Sequence, residues 1–126
     1  MRIASHILRI LLGLVFFVMG LNVFLNFLRG PLPSGLAGQF LSALIESHFV
    51  LFVGAVQVAG GALLLVNRYV PLGLTLLGPV IVNILLYHLL MDHPGLPVAI
   101  LIAIFWGVLF FRHRQHFSGL FVQRTS

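Results

Sequence analysis

Residues 71 to 111, PLGLTLLGPVIVNILLYHLLMDHPGLPVAILIAIFWGVLFF, hold two long apolar runs interrupted only by DHPGLP. Each run approaches the roughly 20 residues that carry an α-helix across a hydrocarbon core of about 30 Å. The interruption is short, polar and rich in Pro and Gly, as a connection between antiparallel neighbours has to be. Pro71 and Pro97 stand where a first helical turn tolerates proline, because the missing N–H has no partner there in any case. The stretch therefore reads as a helical hairpin built for a membrane.

The same pattern extends outward. NRYVPLG joins the hairpin to a preceding apolar run, and a further run opens the chain, so the sequence divides into four spans: Ile7–Leu28, His48–Val66, Pro71–Met91 and Pro97–Phe111. No A-x-A cleavage pattern follows the first, so it is expected to be a retained span and not a signal peptide. The fourth is short and is expected to continue into RHRQHF, with Arg112 and Arg114 reaching back to the headgroups. The expected fold is all-α: a single domain over residues 1–126, a transmembrane four-helix up-down bundle.

Composition agrees. Of 126 residues, 60% are hydrophobic and 7% charged, and the mean hydropathy of +1.15 lies far outside the range of soluble domains. The absence of Cys removes disulfides, thiolate metal sites and thiol redox chemistry. The net charge of +5 comes from seven Arg against Glu46 and Asp92. These Arg are scattered, whereas phosphate-backbone recognition needs a contiguous basic surface, so the partner is the lipid bilayer and not nucleic acid. Arg2, Arg9, Arg68, Arg112, Arg114 and Arg124 share the side of both termini and the middle loop, with Arg29 alone opposite. By the positive-inside rule both termini are cytoplasmic.

Between the first two spans lies RGPLPSGLAGQFLSALIESH, residues 29 to 48. After Pro31, Pro33 and Gly35 it places Leu36, Phe40, Leu41, Leu44 and Ile45 on one helical face, so Leu36–Ser47 is read as a short interfacial helix that shields the outer end of the bundle. In the second span, Gly54, Ala55, Ala59, Gly60 and Ala62 have spacings that let helix backbones approach closely.

Polar residues within the spans are the candidates for function. Counted from the outer ends at 1.5 Å per residue, Asn22, Gln57, Asn83 and Trp106 all lie on the order of 9–14 Å deep, one from each span. An unpartnered amide in hydrocarbon costs roughly 2–7 kcal/mol, so these side chains are expected to turn inward toward one another. Asn83 and Tyr87 are four residues apart and carry the polar face outward to His88, Asp92 and His93. The set Asn22, Gln57, Asn83, Tyr87, His88 and Trp106 is either a structural network that fixes helix register or a pocket for a quinone, pigment or small solute. The six His show no metal-ligand spacing beyond His113 and His116 in the basic tail, and no residues form a nucleophile–base set, a carboxylate pair or a phosphate-binding loop. No catalytic or metal residue is assigned, and no cofactor is required.

RILLGLVFFVMGLNVFLNFL, VAGGALLLVNRYVPLGLTLLGPVIVNILLYHLLMDHPGLPVAI and FRHRQHF together resemble the DoxX-like small membrane proteins, a bacterial group of four-helix bundles. The resemblance covers nearly the whole chain and is strongest from Gly60 to Pro97. The family pattern has a Glu before the paired glycines of the second span, where this chain has Gln57, which can hydrogen-bond but cannot relay a proton. Some relatives resemble subunits of a thiosulfate:quinone oxidoreductase. The resemblance thus implies a non-catalytic accessory or structural subunit of a larger membrane complex, near quinone chemistry, in the bacterial cytoplasmic membrane and in contact with other membrane subunits.

Overall fold

The computed structural model describes residues 2–26 and 30–124, and every regular element among them is helical. In chain order these are α1 (Arg2–Leu25), α2 (Gly35–Glu46), α3 (Phe49–Val66), α4 (Val70–Leu90) and α5 (Leu96–Arg112). A single 3-10 turn, His93–Gly95, joins α4 to α5, and a 3-10 segment, Arg114–Phe121, follows α5. The four spans match α1, α3, α4 and α5, and α1, α3, α4 and the continuous helical stretch His93–Arg112 that contains α5 are each long and apolar enough to cross a bilayer. This is a multi-pass membrane protein with an all-α four-helix bundle. The first helix starts five residues earlier than the expected Ile7, and the expected end at Leu28 lies outside the described residues.

Helix α1 packs on α3, α3 on α4, α4 on α5, and α5 closes the ring against α1. The α1–α3 contact is antiparallel, because Gly13 meets Gly61 and Leu64 while Gly20 meets Gly54 and Val58. Glycine is required there by distance: a Cβ on Gly61 would stand 2.5 Å from the Phe17 nitrogen, and one on Gly20 would stand 2.7 Å from the Val58 nitrogen. Gly60, one residue around α3 from Gly61, brings α4 in at Gly73 and Leu77. The small residues of the second span thus serve two different interfaces within the bundle, and α3 is its central helix.

The core runs along the bundle axis. Leu12, Phe16, Leu64, Leu74, Leu77 and Leu109 are fully buried, and most of the remaining apolar surface points outward, as lipid-facing side chains do. Beyond α5 the chain does not continue the helix as expected. It turns at His113, and the 3-10 segment folds back so that Phe117 is buried against Phe110, with ring centroids 4.7 Å apart. An aromatic ring closes that end of the bundle, while Arg114 turns back over the Phe111 ring at 4.1 Å.

Helix α2 lies outside the ring, against α3. Its apolar residues divide between two faces. Ala37 and Gly38 are its buried residues, Leu41 and Leu44 are half-buried, and Leu36, Phe40 and Ile45 are exposed. Gly38 sits directly on the carbonyl of Pro33 in the segment that leads into the helix, an approach that no side chain would permit. The larger apolar side chains are left on the outer surface, where an interfacial helix meets the membrane.

Candidate functional site

The six polar residues singled out in the spans do not converge on one cavity. Gln57 is buried on α3, in register with Gly54, Gly60, Gly61 and Leu64. Asn22 is half-buried on α1. Trp106 crosses from α5 to α4, where its Nε1 donates to the Leu74 carbonyl at 2.8 Å, and its ring stacks on Phe110 at 5.2 Å. Asn83 departs from the inward expectation. It is exposed, and its Nδ2 donates to the Pro79 carbonyl at 2.9 Å within its own helix. The buried positions of α4 are Val70, Gly73, Leu74, Leu77 and Ile81. Asn83 is two residues past Ile81, roughly 200° around the axis, and therefore faces away.

Tyr87 and His88 form a separate outer group. The two rings meet edge to face at 5.0 Å, and Phe40 of α2 lies 5.8 Å from Tyr87. His88 Nδ1 donates to the Ile84 carbonyl at 2.9 Å, which leaves Nε2 as the other ring nitrogen. Gly95 is packed directly on that ring, so the α4–α5 turn is seated on His88. Among the described residues no three His, Asp or Glu side chains gather as a metal site. A wide groove of about 510 Å³ runs along α2 past Pro33, Gln39, Ser42 and Glu46.

The most unusual chemistry lies at the other end of the bundle, around Arg9, which the sequence reading used only for orientation. Arg9 belongs to the buried face of α1 with Ser5, Leu12, Gly13, Phe16 and Gly20, and is only 8% exposed. Its guanidinium reaches across to the last turn of α3. Nη1 donates to the carbonyls of Leu64 and, at 3.5 Å, Leu65. Nη2 approaches His6 Nδ1 at 3.4 Å. These carbonyls belong to the last turn of α3, where Leu64 also accepts from the Asn67 N–H at 3.3 Å, and they form the negative end of the helix dipole. Nε is buried with no partner among the described residues.

Beside Arg9 is a cavity of about 100 Å³. Helix α1 lines it with Arg2, Ser5, His6 and Arg9, the α3–α4 turn adds Asn67, and the end of α5 adds Arg112 and His113. Asn67 stands in the left-handed conformation that ends α3, and His113 is held by its Nδ1 donating to the Leu109 carbonyl at 2.9 Å. The cavity wall carries three guanidinium groups and no carboxylate. A sequence signal for it existed: Ser5, Arg9, Leu12, Gly13 and Phe16 follow helical spacing on one face, which puts Arg9 on the core side of α1.

No family model matches the chain, and neither a curated protein nor a solved structure matches it.

Proposed function

We propose that this chain is a small non-catalytic membrane protein, an accessory or structural subunit that packs into a larger membrane assembly. The observation that carries this reading is the uneven cover of the four spans. In the most apolar 18-residue stretch of each span, 11% of the residues are buried for His93–Arg112, which contains α5, against 28% for each of the other three. Its exposed side chains include Val98, Ile100, Leu101, Ile104 and Phe111, a surface available to a neighbouring transmembrane helix. The polar side chains of the bundle support the same role, since Trp106, Asn83 and His88 are each tied to a backbone carbonyl. The Trp106 bond ties α5 to α4, the Asn83 and His88 bonds are made within α4 itself, and all three leave those groups little freedom for chemistry.

On this reading the assembly belongs to the bacterial cytoplasmic membrane with a redox complex as its setting, and the support for that is the resemblance to DoxX-like proteins. Both termini are assigned to the cytoplasm. In support, the start of α1, the α3–α4 turn and the end of α5 lie at one end of the bundle, and Arg2, Arg68 and Arg112 are there. A quinone or pigment seat formed by Asn22, Gln57, Asn83, Tyr87, His88 and Trp106 is the second reading and has less support, because those residues are spread over the interior, the outer surface and the outer end.

Site-specific photo-crosslinking in native membranes tests the proposal. A crosslinker at Ile104 on α5 should give a discrete protein adduct, while one at Val15 on α1 should give lipid adducts. Lipid adducts alone at both positions would remove the subunit reading.

A further inference from the structure

We propose that the cavity beside Arg9 is an anion site that takes one tetrahedral phosphate group, either as free phosphate or as the headgroup of a phosphomonoester lipid. An arginine within a membrane span is costly to bury; backbone carbonyls can satisfy its donors, but only an anion balances its full charge. Among the described residues Arg9 has only carbonyl oxygens and an imidazole nitrogen as partners, and its Nε has none. Arg2 and Arg112 line the same cavity. The chain's two acidic side chains cannot supply the missing charge, because Glu46 ends α2 and Asp92 lies in the α4–α5 turn, both at the other end of the bundle. Three like charges around one small cavity repel one another unless an anion sits among them.

The donors suit an oxyanion. Guanidinium groups match phosphate oxygens in pairs. The Ser5 hydroxyl and the Asn67 amide add neutral donors to the wall. His6 accepts from Arg9 at Nδ1, so a neutral His6 ring carries its proton on Nε2 and adds another donor. The first turn of α1 supplies the positive end of its dipole at the same mouth. Size sets the class of ligand. A cavity of about 100 Å³ is well below the roughly 300–1,000 Å³ of sites that enclose whole cofactors. It admits a single phosphate and excludes a nucleotide base or a quinone ring. Its depth fits both sources, since Arg9 lies seven residues into α1, roughly 10 Å from the helix start, near headgroup level.

The test uses the full-length protein in a neutral detergent, with thermal melting and native mass spectrometry as readouts. One arm titrates inorganic phosphate against chloride at matched ionic strength. The other adds phosphatidylcholine vesicles with or without phosphatidic acid, whose headgroup is a bare phosphomonoester. Stabilisation by inorganic phosphate supports the proposal and identifies a free anion. Stabilisation and retention of phosphatidic acid alone support it and identify a headgroup. The R2Q/R112Q double variant, whose residues are both exposed and so are not needed for folding, should bind about tenfold more weakly, a difference of roughly 1.4 kcal/mol. Arg68→Gln, at the same end but outside the cavity, should bind as the wild type does. Failure of both probes to bind, unchanged affinity in the double variant, or an equal loss in Arg68→Gln would overturn the site. Arg9→Gln is not used for this decision, because it also releases the end of α3.

Discussion

Trp106 donates from Nε1 to the carbonyl of Leu74 at 2.8 Å, a bond between residues 32 positions apart that pins α5 to α4. Leu74 is fully buried, and Gly78, one turn further along α4, lies under the same indole ring. The bond fixes both the level and the rotation of the two helices, which apolar packing alone does loosely. Trp106→Phe keeps most of the ring contact and removes the donor. It should cost about 1 kcal/mol of stability, read as a lower melting temperature in detergent. An unchanged melt would mean that this bond contributes nothing to register.

Close approach of α1 and α3 gives a sharper contrast. Gly61→Ala drives a Cβ to 2.5 Å from the Phe17 nitrogen, and backbone cannot yield as a side chain would. It should destabilise by about 1–3 kcal/mol. Gly107→Ala on α5 meets nothing within 4 Å, so it should be neutral or gain up to about 1 kcal/mol from helix propensity. Equal melting temperatures for the two variants would contradict the packing order.

Asn83→Leu separates depth from direction. An inward amide would make this change destabilising, but Asn83 is exposed and bonded within its own helix. Stability should stay within about 0.5 kcal/mol of the wild type. A large loss would place the side chain in the bundle interior after all.

His48 connects α2 to α3 with a φ of 65°, a conformation that costs a residue bearing a Cβ. His48→Gly removes that cost, while the greater freedom of glycine in the unfolded chain offsets part of it. The expected net gain is about 0.5–1 kcal/mol. At Phe49, already helical, the same substitution should destabilise, and the opposite signs at adjacent positions are the diagnostic.

Orientation is tested by cysteine labelling, for which a chain without native cysteines is suited. With a membrane-impermeant thiol reagent on intact cells, Ser34→Cys should label and Gln123→Cys should label only after lysis. The reverse result would invert the assigned topology.

The spans, their number and their order were legible in the amino-acid sequence, because the length of an apolar run against the thickness of a bilayer is a one-dimensional quantity. Pro71, Pro97 and the DHPGLP turn marked the ends of α4 and the start of α5 to within a residue. The glycines of the second span were legible as contact points for the same reason: their spacing is a property of one helix. Rotation about each helix axis was not. Helix α4 is apolar nearly all round, so nothing in its own residues distinguishes the face of Leu74, Leu77 and Ile81 from the face of Val82 and Asn83. Depth could be counted from the ends, and it grouped Asn83 with Gln57 and Trp106, but two residues of phase send Asn83 to the opposite side. Arg9 shows the converse. Its place on the core side of α1 follows from helical spacing, whereas its partners are carbonyls of Leu64 and Leu65, 55 and 56 residues away. Backbone oxygens carry no residue identity, so only the antiparallel packing of α1 on α3, set by glycines at Gly13, Gly20, Gly54 and Gly61, decided that a buried arginine would meet the end of a helix and form one wall of a basic cavity.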